Sequence, residues 1–182
     1  MKKLLLALGL SSALVVAGCS DDGEDTNTED DTNTEEQNNS EEENAGAEKE
    51  QILDIQDKIT KEFKQYQSKI SAYQAAVGAE EPVDSEIESA AEEAKSAAEA
   101  GSEAAANYTI EADISDDMKD QYMDAMSSLE AYYNEVASAL DENMMEADFS
   151  AAEEEFTAFN DALGSIYEEV GLYAPSMMEE LG

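Results

Sequence analysis

The chain has 182 residues, 46 acidic and nine basic side chains, no histidine, one cysteine and a formal charge of −37. Without histidine the commonest general base and metal ligand is missing, and a lone cysteine excludes both a disulfide framework and a thiolate metal site. So negative a surface repels nucleic acid and anionic lipid headgroups, which leaves cations and basic partners as the species it attracts.

Lys2 and Lys3 open the chain, an apolar run follows from Leu4 to Ala17, and small residues precede Cys19. These are the parts of a secretory signal peptide, here residues 1–18. The run is shorter than the roughly 20 apolar residues of a spanning helix, and Asp21 and Asp22 follow at once, so a cleaved leader is expected rather than a retained span. Val16-Ala17-Gly18-Cys19 resembles the lipobox of bacterial lipoproteins, with Val16 where that family usually has leucine. The resemblance implies cleavage between Gly18 and Cys19, a diacylglyceryl group on the Cys19 thiol, and often acylation of the new amino terminus. It implies a mature chain on the extracytoplasmic face of a cell membrane, with membrane lipid as its first partner; the acidic tether and the C-terminal resemblance below favour a Gram-positive surface over a Gram-negative outer membrane. Each buried methylene contributes about 0.8 kcal/mol, so one acyl chain binds reversibly and two hold stably.

Loss of the leader removes Lys2 and Lys3 and leaves the chain two units more negative. An acid excess without arginine also resembles the surfaces of proteins from salt-adapted organisms; the same acids equally serve to keep a bundle soluble. In both cases added NaCl relieves repulsion, so the melting temperature of the folded part is expected to rise from low to molar salt. A flat or falling value would contradict this.

From Ser20 to about Lys49, acids alternate with Asn, Thr, Ser and Gly, without an aromatic or a large aliphatic residue. Nothing there offsets the entropy of ordering, so residues 19–49 are expected to be a lipidated cysteine followed by a disordered acidic linker. A flexible coil of about 30 residues spans roughly 30 Å and holds the domain off the surface. The run lacks the spacing of a calcium-binding loop.

Residues 50–182 carry the helical signal. Ile52, Ile55, Ile59, Phe63, Tyr66, Ile70, Tyr73 and Val77 recur in steps of three and four, which is one face of an amphipathic helix ending at Gly78. Asp54 with Lys58 and Asp57 with Lys61 stand in the favourable i, i+4 order. The other helices are acidic, so this one is expected between acidic neighbours. Ser85 and Glu88 predict a capping box for a second helix, whose inner face from Ile87 to Ala105 is mostly alanine, with a kink or an end at Gly101-Ser102. Tyr108 and Ile110 are expected to pack a connector back onto the bundle. Ser115 or Asp116 caps a third helix with Met118, Tyr122, Met126, Leu129, Tyr132, Val136 and Leu140 inside, ending at Asn143. Ser150 and Glu153 predict another capping box, for a fourth helix with Phe156, Phe159, Leu163 and Ile166 inside. Gly171 is its C′ residue, Pro175 blocks continuation, and Ser176 with Glu179 caps one last turn.

Four helices with short connections and no alternating strand pattern predict an all-α fold, an antiparallel up-down four-helix bundle following the linker. The stretch from Asp148-Phe149-Ser150 through Gly171 and Pro175 to Glu180 resembles the end of small helical lipoproteins of unknown function in Gram-positive bacteria. That resemblance implies localisation and helicity and brings no catalytic residues.

Acidic neighbours such as Glu153/Glu154, Glu168/Glu169 and Asp116/Asp117 arise by number alone, and their spacing opposes no pair as glycosidase chemistry requires. Asp113, Ser115, Asp117 and Asp124 look superficially like a calcium loop, but Met118 stands where that loop needs glycine, and a helix cap accounts for the acids. Met118 and Met126 belong to the core. Met144, Met145, Met177 and Met178, near helix ends, serve either as gap fillers or as a contact surface. Of Tyr132 and Tyr133, one ring faces inward and the other lies at the edge as a possible interface anchor. No catalytic, cofactor-binding or metal-ligating residue is assigned. The expected function is a membrane-anchored, non-enzymatic interaction module that binds a protein or cell-wall component of the envelope; the alternative is an acidic envelope protein that binds divalent cations.

Overall fold

The computed structural model describes residues 35–182, with side chains from Gly46 onward. Gly18 and Cys19 lie outside the described residues, as do the leader and the first part of the linker. Five helices follow in order: α1 (Glu35–Val77), α2 (Asp84–Ala106), α3 (Asp116–Glu142), α4 (Ser150–Glu169) and the short α5 (Met177–Leu181). Among the described residues there is no strand, and α1 to α4 pack as an up-down bundle. The cross-links fix the antiparallel order: Lys69 on α1 meets Glu93 on α2, Lys95 on α2 meets Asp141 on α3, and Gln121 on α3 meets Glu169 on α4. No described helix is long and apolar enough to cross a membrane.

α1 begins upstream of the expected Glu50, inside the stretch read as a disordered linker. Residues 35–49 are rich in Glu, with Gln and Ala, which lose little rotamer freedom in a helix. An anchored helix propagates without a new nucleation step, and acids near an N-terminus oppose the helix dipole favourably. Composition argued for disorder because it measures what a segment can bury, and this stretch is helical although its sequence offers no apolar face.

The inner faces follow the periodicity. Ile52, Ile59, Phe63 and Ile70 on α1, Leu129 and Val136 on α3, and Phe159 and Ile166 on α4 are fully buried. Full burial of such a side chain contributes about 1.5–3 kcal/mol. α2 contributes Ala91, Ala94, Ala98 and Ala105, small residues that let its neighbours come close. It runs unbroken through Gly101, so the helix does not end there. The reason lies across the interface: a Cβ at Gly101 would sit 3.0 Å from Cγ and Cδ1 of Tyr133, so the glycine is the space into which that ring fits.

Two capping boxes do not form. α2 starts at Asp84 after Val83, and α4 at Ser150 after Phe149, neither with a side-chain cap. Ser150 instead donates from Oγ and N to Asp148 Oδ1, closing a tight turn that spends its hydroxyl before the helix begins. The predicted Ser115 cap is present, with its Oγ accepting from Met118 N at 3.2 Å. At the end of α4, Gly171 adopts φ +69, Leu172 N reaches Tyr167 O at 2.8 Å and Gly171 N reaches Glu168 O at 3.0 Å. These paired bonds form a Schellman motif, which needs the left-handed residue that glycine supplies.

That turn sends the chain back along α4. Ala174 lies 3.6 Å from where a Gly164 Cβ would stand, and Met177 N donates to Asn160 Oδ1 at 3.3 Å. α5 then rests against α1, with Lys64 donating to the Glu180 carbonyl. Met177 and Leu181 are fully buried, so this last turn is part of the core.

Candidate functional site

The acidic pairs singled out from sequence, Glu153/Glu154, Glu168/Glu169 and Asp116/Asp117, are all exposed. Among the described residues no group of three or more carboxylates converges to hold a metal ion. Charges pair along helix surfaces instead. Lys58 binds Asp54 at 2.7 Å, Lys61 binds Asp57, and Lys95 lies between Glu99 and Asp141. The hydrogen bond from Lys69 holds the Glu93 carboxyl below its usual range, and those from Ser150 do the same for Asp148. Such exposed pairs are screened by solvent and add little to stability.

The interior is more polar than the sequence pattern indicated. Tyr132 donates to Gln67 Oε1 at 2.8 Å, Tyr167 donates to Gln56 Oε1 at 2.5 Å, and Ser102 donates to Asn134 Oδ1 at 2.9 Å. Gln67 is 2% exposed. Its position was available from the period, since it falls four residues after Phe63 and three before Ile70, but a polar residue on an apolar face shows no signal in a hydrophobicity count. Tyr122 Oη and Thr60 Oγ1 are buried with no hydrogen-bond partner. Each such orphan costs about 1–3 kcal/mol.

Tyr132 and Tyr133 are both buried, with ring centroids 4.9 Å apart, so neither is an edge anchor. Two adjacent helical residues both fit inside because Gly101 receives one ring and Gln67 satisfies the hydroxyl of the other. Tyr133 joins an aromatic group with Phe63, Tyr66 and Tyr132, which Phe156 and Phe159 extend onto α4. Of the methionines, Met118, Met126 and Met177 are buried, Met144 and Met145 are half-buried, and Met123 and Met178 are about 40% exposed. Met177 is therefore core and not contact surface.

A crevice of about 460 Å³ lies between α1 and the connector after α2, lined by Lys58, Glu62, Tyr108 and Glu111 among others. The Tyr108 ring packs 5.9 Å from Phe63 as expected for the connector, and burial pushes its hydroxyl up to about 12, with Glu62 and Asp54 adding to the shift. That phenol is a neutral donor at physiological pH. Lys58 is paired to Asp54, and the Glu62 and Glu111 carboxylates at the crevice are exposed to water. Comparison with protein-family models, with curated proteins and with solved structures gives no match to this chain.

Proposed function

We propose that this chain is a lipid-anchored, non-enzymatic interaction module on the extracytoplasmic face of a bacterial membrane. The observation that carries the reading is the leader with its closing Val16-Ala17-Gly18-Cys19, which together supply the charged start, the apolar run and the acylation site. The bundle is compatible with such a role. Its interior is filled by its own side chains, and its acids, Glu62 and Glu111 at the crevice included, face water. Envelope proteins or cell-wall components with basic surfaces are the partners its charge admits.

In cells, Cys19→Ala is expected to abolish incorporation of labelled palmitate and to move the protein from the membrane fraction to the medium. Cross-linking with mass spectrometry on the tagged parent should recover a partner that the unanchored variant does not enrich. Equal palmitate labelling of parent and variant, or membrane retention of Cys19→Ala, would overturn the anchor.

A further inference from the structure

We infer that the end of the bundle formed by the α1–α2 and α3–α4 loops is a docking surface for a basic, amphipathic segment of a partner protein. The α3–α4 loop packs on the last turns of α1 there: Ala147 N donates to Tyr73 Oη at 2.9 Å, and the Tyr73 and Phe149 rings lie 5.7 Å apart. Both loops at this end expose apolar residues. Val83 is 46% exposed, Pro82 and Ala79 beside it are exposed, and Val77, Met144 and Met145 are only half-covered by the core they pack against. Methionine side chains are unbranched and adjust to the shape of what lands on them.

The electrostatics name the occupant. α1 and α3 end here while α2 and α4 begin here, so the helix dipoles oppose one another and the charge of this end is that of its side chains; neither α1 nor α3 has a basic residue in its last turn. Glu80, Glu81, Glu142, Glu146 and Asp148 stand exposed around the apolar patch. Neither loop contains a lysine, and the closest along the helices, Lys69 and Lys95, are bound to Glu93 and to Glu99 and Asp141. A second copy of this chain would bring the same charge to the contact, and an anionic lipid surface would be repelled. A segment with one apolar face and flanking lysines or arginines satisfies both the patch and its rim, in the helix-on-groove manner of other peptide recognition.

This deepens the interaction-module reading, and its test is separate from the anchor. The full-length Cys19→Ala chain is titrated by calorimetry, in about 0.15 M NaCl, with a helical peptide of leucine on one face and lysine on the other. An oligolysine of equal charge is the comparison. Saturable one-to-one binding of the amphipathic peptide is expected, with oligolysine at least about tenfold weaker, since charge alone gives little affinity at that salt. Met144→Ser with Met145→Ser, and separately Glu80→Gln with Glu81→Gln and Glu146→Gln, are each expected to weaken binding at least about tenfold. Val83→Ser, at an exposed site, provides the same reading if the methionine variant melts early. Equal affinity for parent and variants, or oligolysine binding as tightly as the amphipathic peptide, would overturn the docking surface. A negative titration beside a partner recovered by cross-linking would remove this surface and leave the module standing elsewhere on the bundle. Positive titration with an unanchored parent chain would do the reverse.

Discussion

Gly101→Val is expected to lower the melting temperature of the bundle by roughly 10 °C, corresponding to a loss of about 3 kcal/mol. The first carbon added at this position lands 3.0–3.1 Å from three atoms of the Tyr133 ring, on its face. The ring has nowhere to retreat. It is fully buried, it stacks 6.0 Å from Phe63, and its neighbour Tyr132 closes the far side. Against this stands a helix-propensity gain of about 1 kcal/mol for alanine over glycine, which valine only partly shares. Gly101→Ala is therefore expected to come out about 1 kcal/mol less stable, and Gly101→Val, with two more carbons, clearly less stable. Ala100→Val is the control, since Ala100 is exposed on the next residue of the same helix. Thermal melts followed by circular dichroism decide it: Gly101→Val melting beside Ala100→Val would show that α2 can move away and that the glycine is incidental.

The second large effect comes from alkali. Burial pushes the hydroxyls of Tyr132 and Tyr167 up to about 12, and raises those of Tyr122 and Tyr133 as well. In the unfolded chain a tyrosine titrates near 10. A proton held more tightly in the folded state stabilises the fold fully below the unfolded value, and that contribution is withdrawn as pH rises through the folded value. For one such tyrosine the slope is about 1.4 kcal/mol per pH unit above 10, so four together give roughly 5 kcal/mol per unit. A domain of ordinary stability, about 5–15 kcal/mol, cannot absorb that for long. Cooperative unfolding is expected between about pH 11 and 12, with phenolate absorbance and loss of helical ellipticity changing together. Tyr122→Phe should shift the midpoint to higher pH, because it removes one ionising group whose hydroxyl has no partner to lose. A gradual rise in phenolate absorbance near pH 10 over an intact helical spectrum would contradict the account.

The architecture was legible because it depends on a repeated property. Nearly every turn of α1 from Ile52 onward, and of α3 and α4, places a large apolar side chain on one face, and a period averaged over about five to seven turns tolerates individual errors. The features that were misread depend on single atoms. Ser85 and Glu88 have the capping-box spacing, yet whether that hydroxyl sits before the helix or inside it depends on the entry angle of the preceding loop. α2 starts two residues early, and the box is lost. Gly101 was read for its backbone cost, when its role lies in what it lacks opposite Tyr133. Met177 stayed open between gap filler and contact surface because sequence cannot show that the segment after Gly171 turns back along α4 and sets α5 against α1. The docking surface was half visible: Met144 and Met145 stood out as an apolar pair, while their place beside the end of α1 required the α3–α4 loop to pack on Tyr73, some 70 residues away.

The length of α1 has a consequence for orientation. Its 43 residues rise about 65 Å, against about 30 Å for the 20 residues of α4, and the excess lies upstream of Lys49, at the end opposite the Tyr73–Phe149 loops. A flexible tether would let the bundle tumble, lie down and sample partners in every direction around its attachment point. For the lipid-anchored chain proposed above, a helical mast removes the poses in which the tip folds back on Glu35. It fixes the reach, concentrating the far face in a shell one mast-length and one bundle-height away from whatever precedes Glu35. Partners standing in that shell meet the tip at a raised effective concentration, and those lying beside the base do not meet it at all.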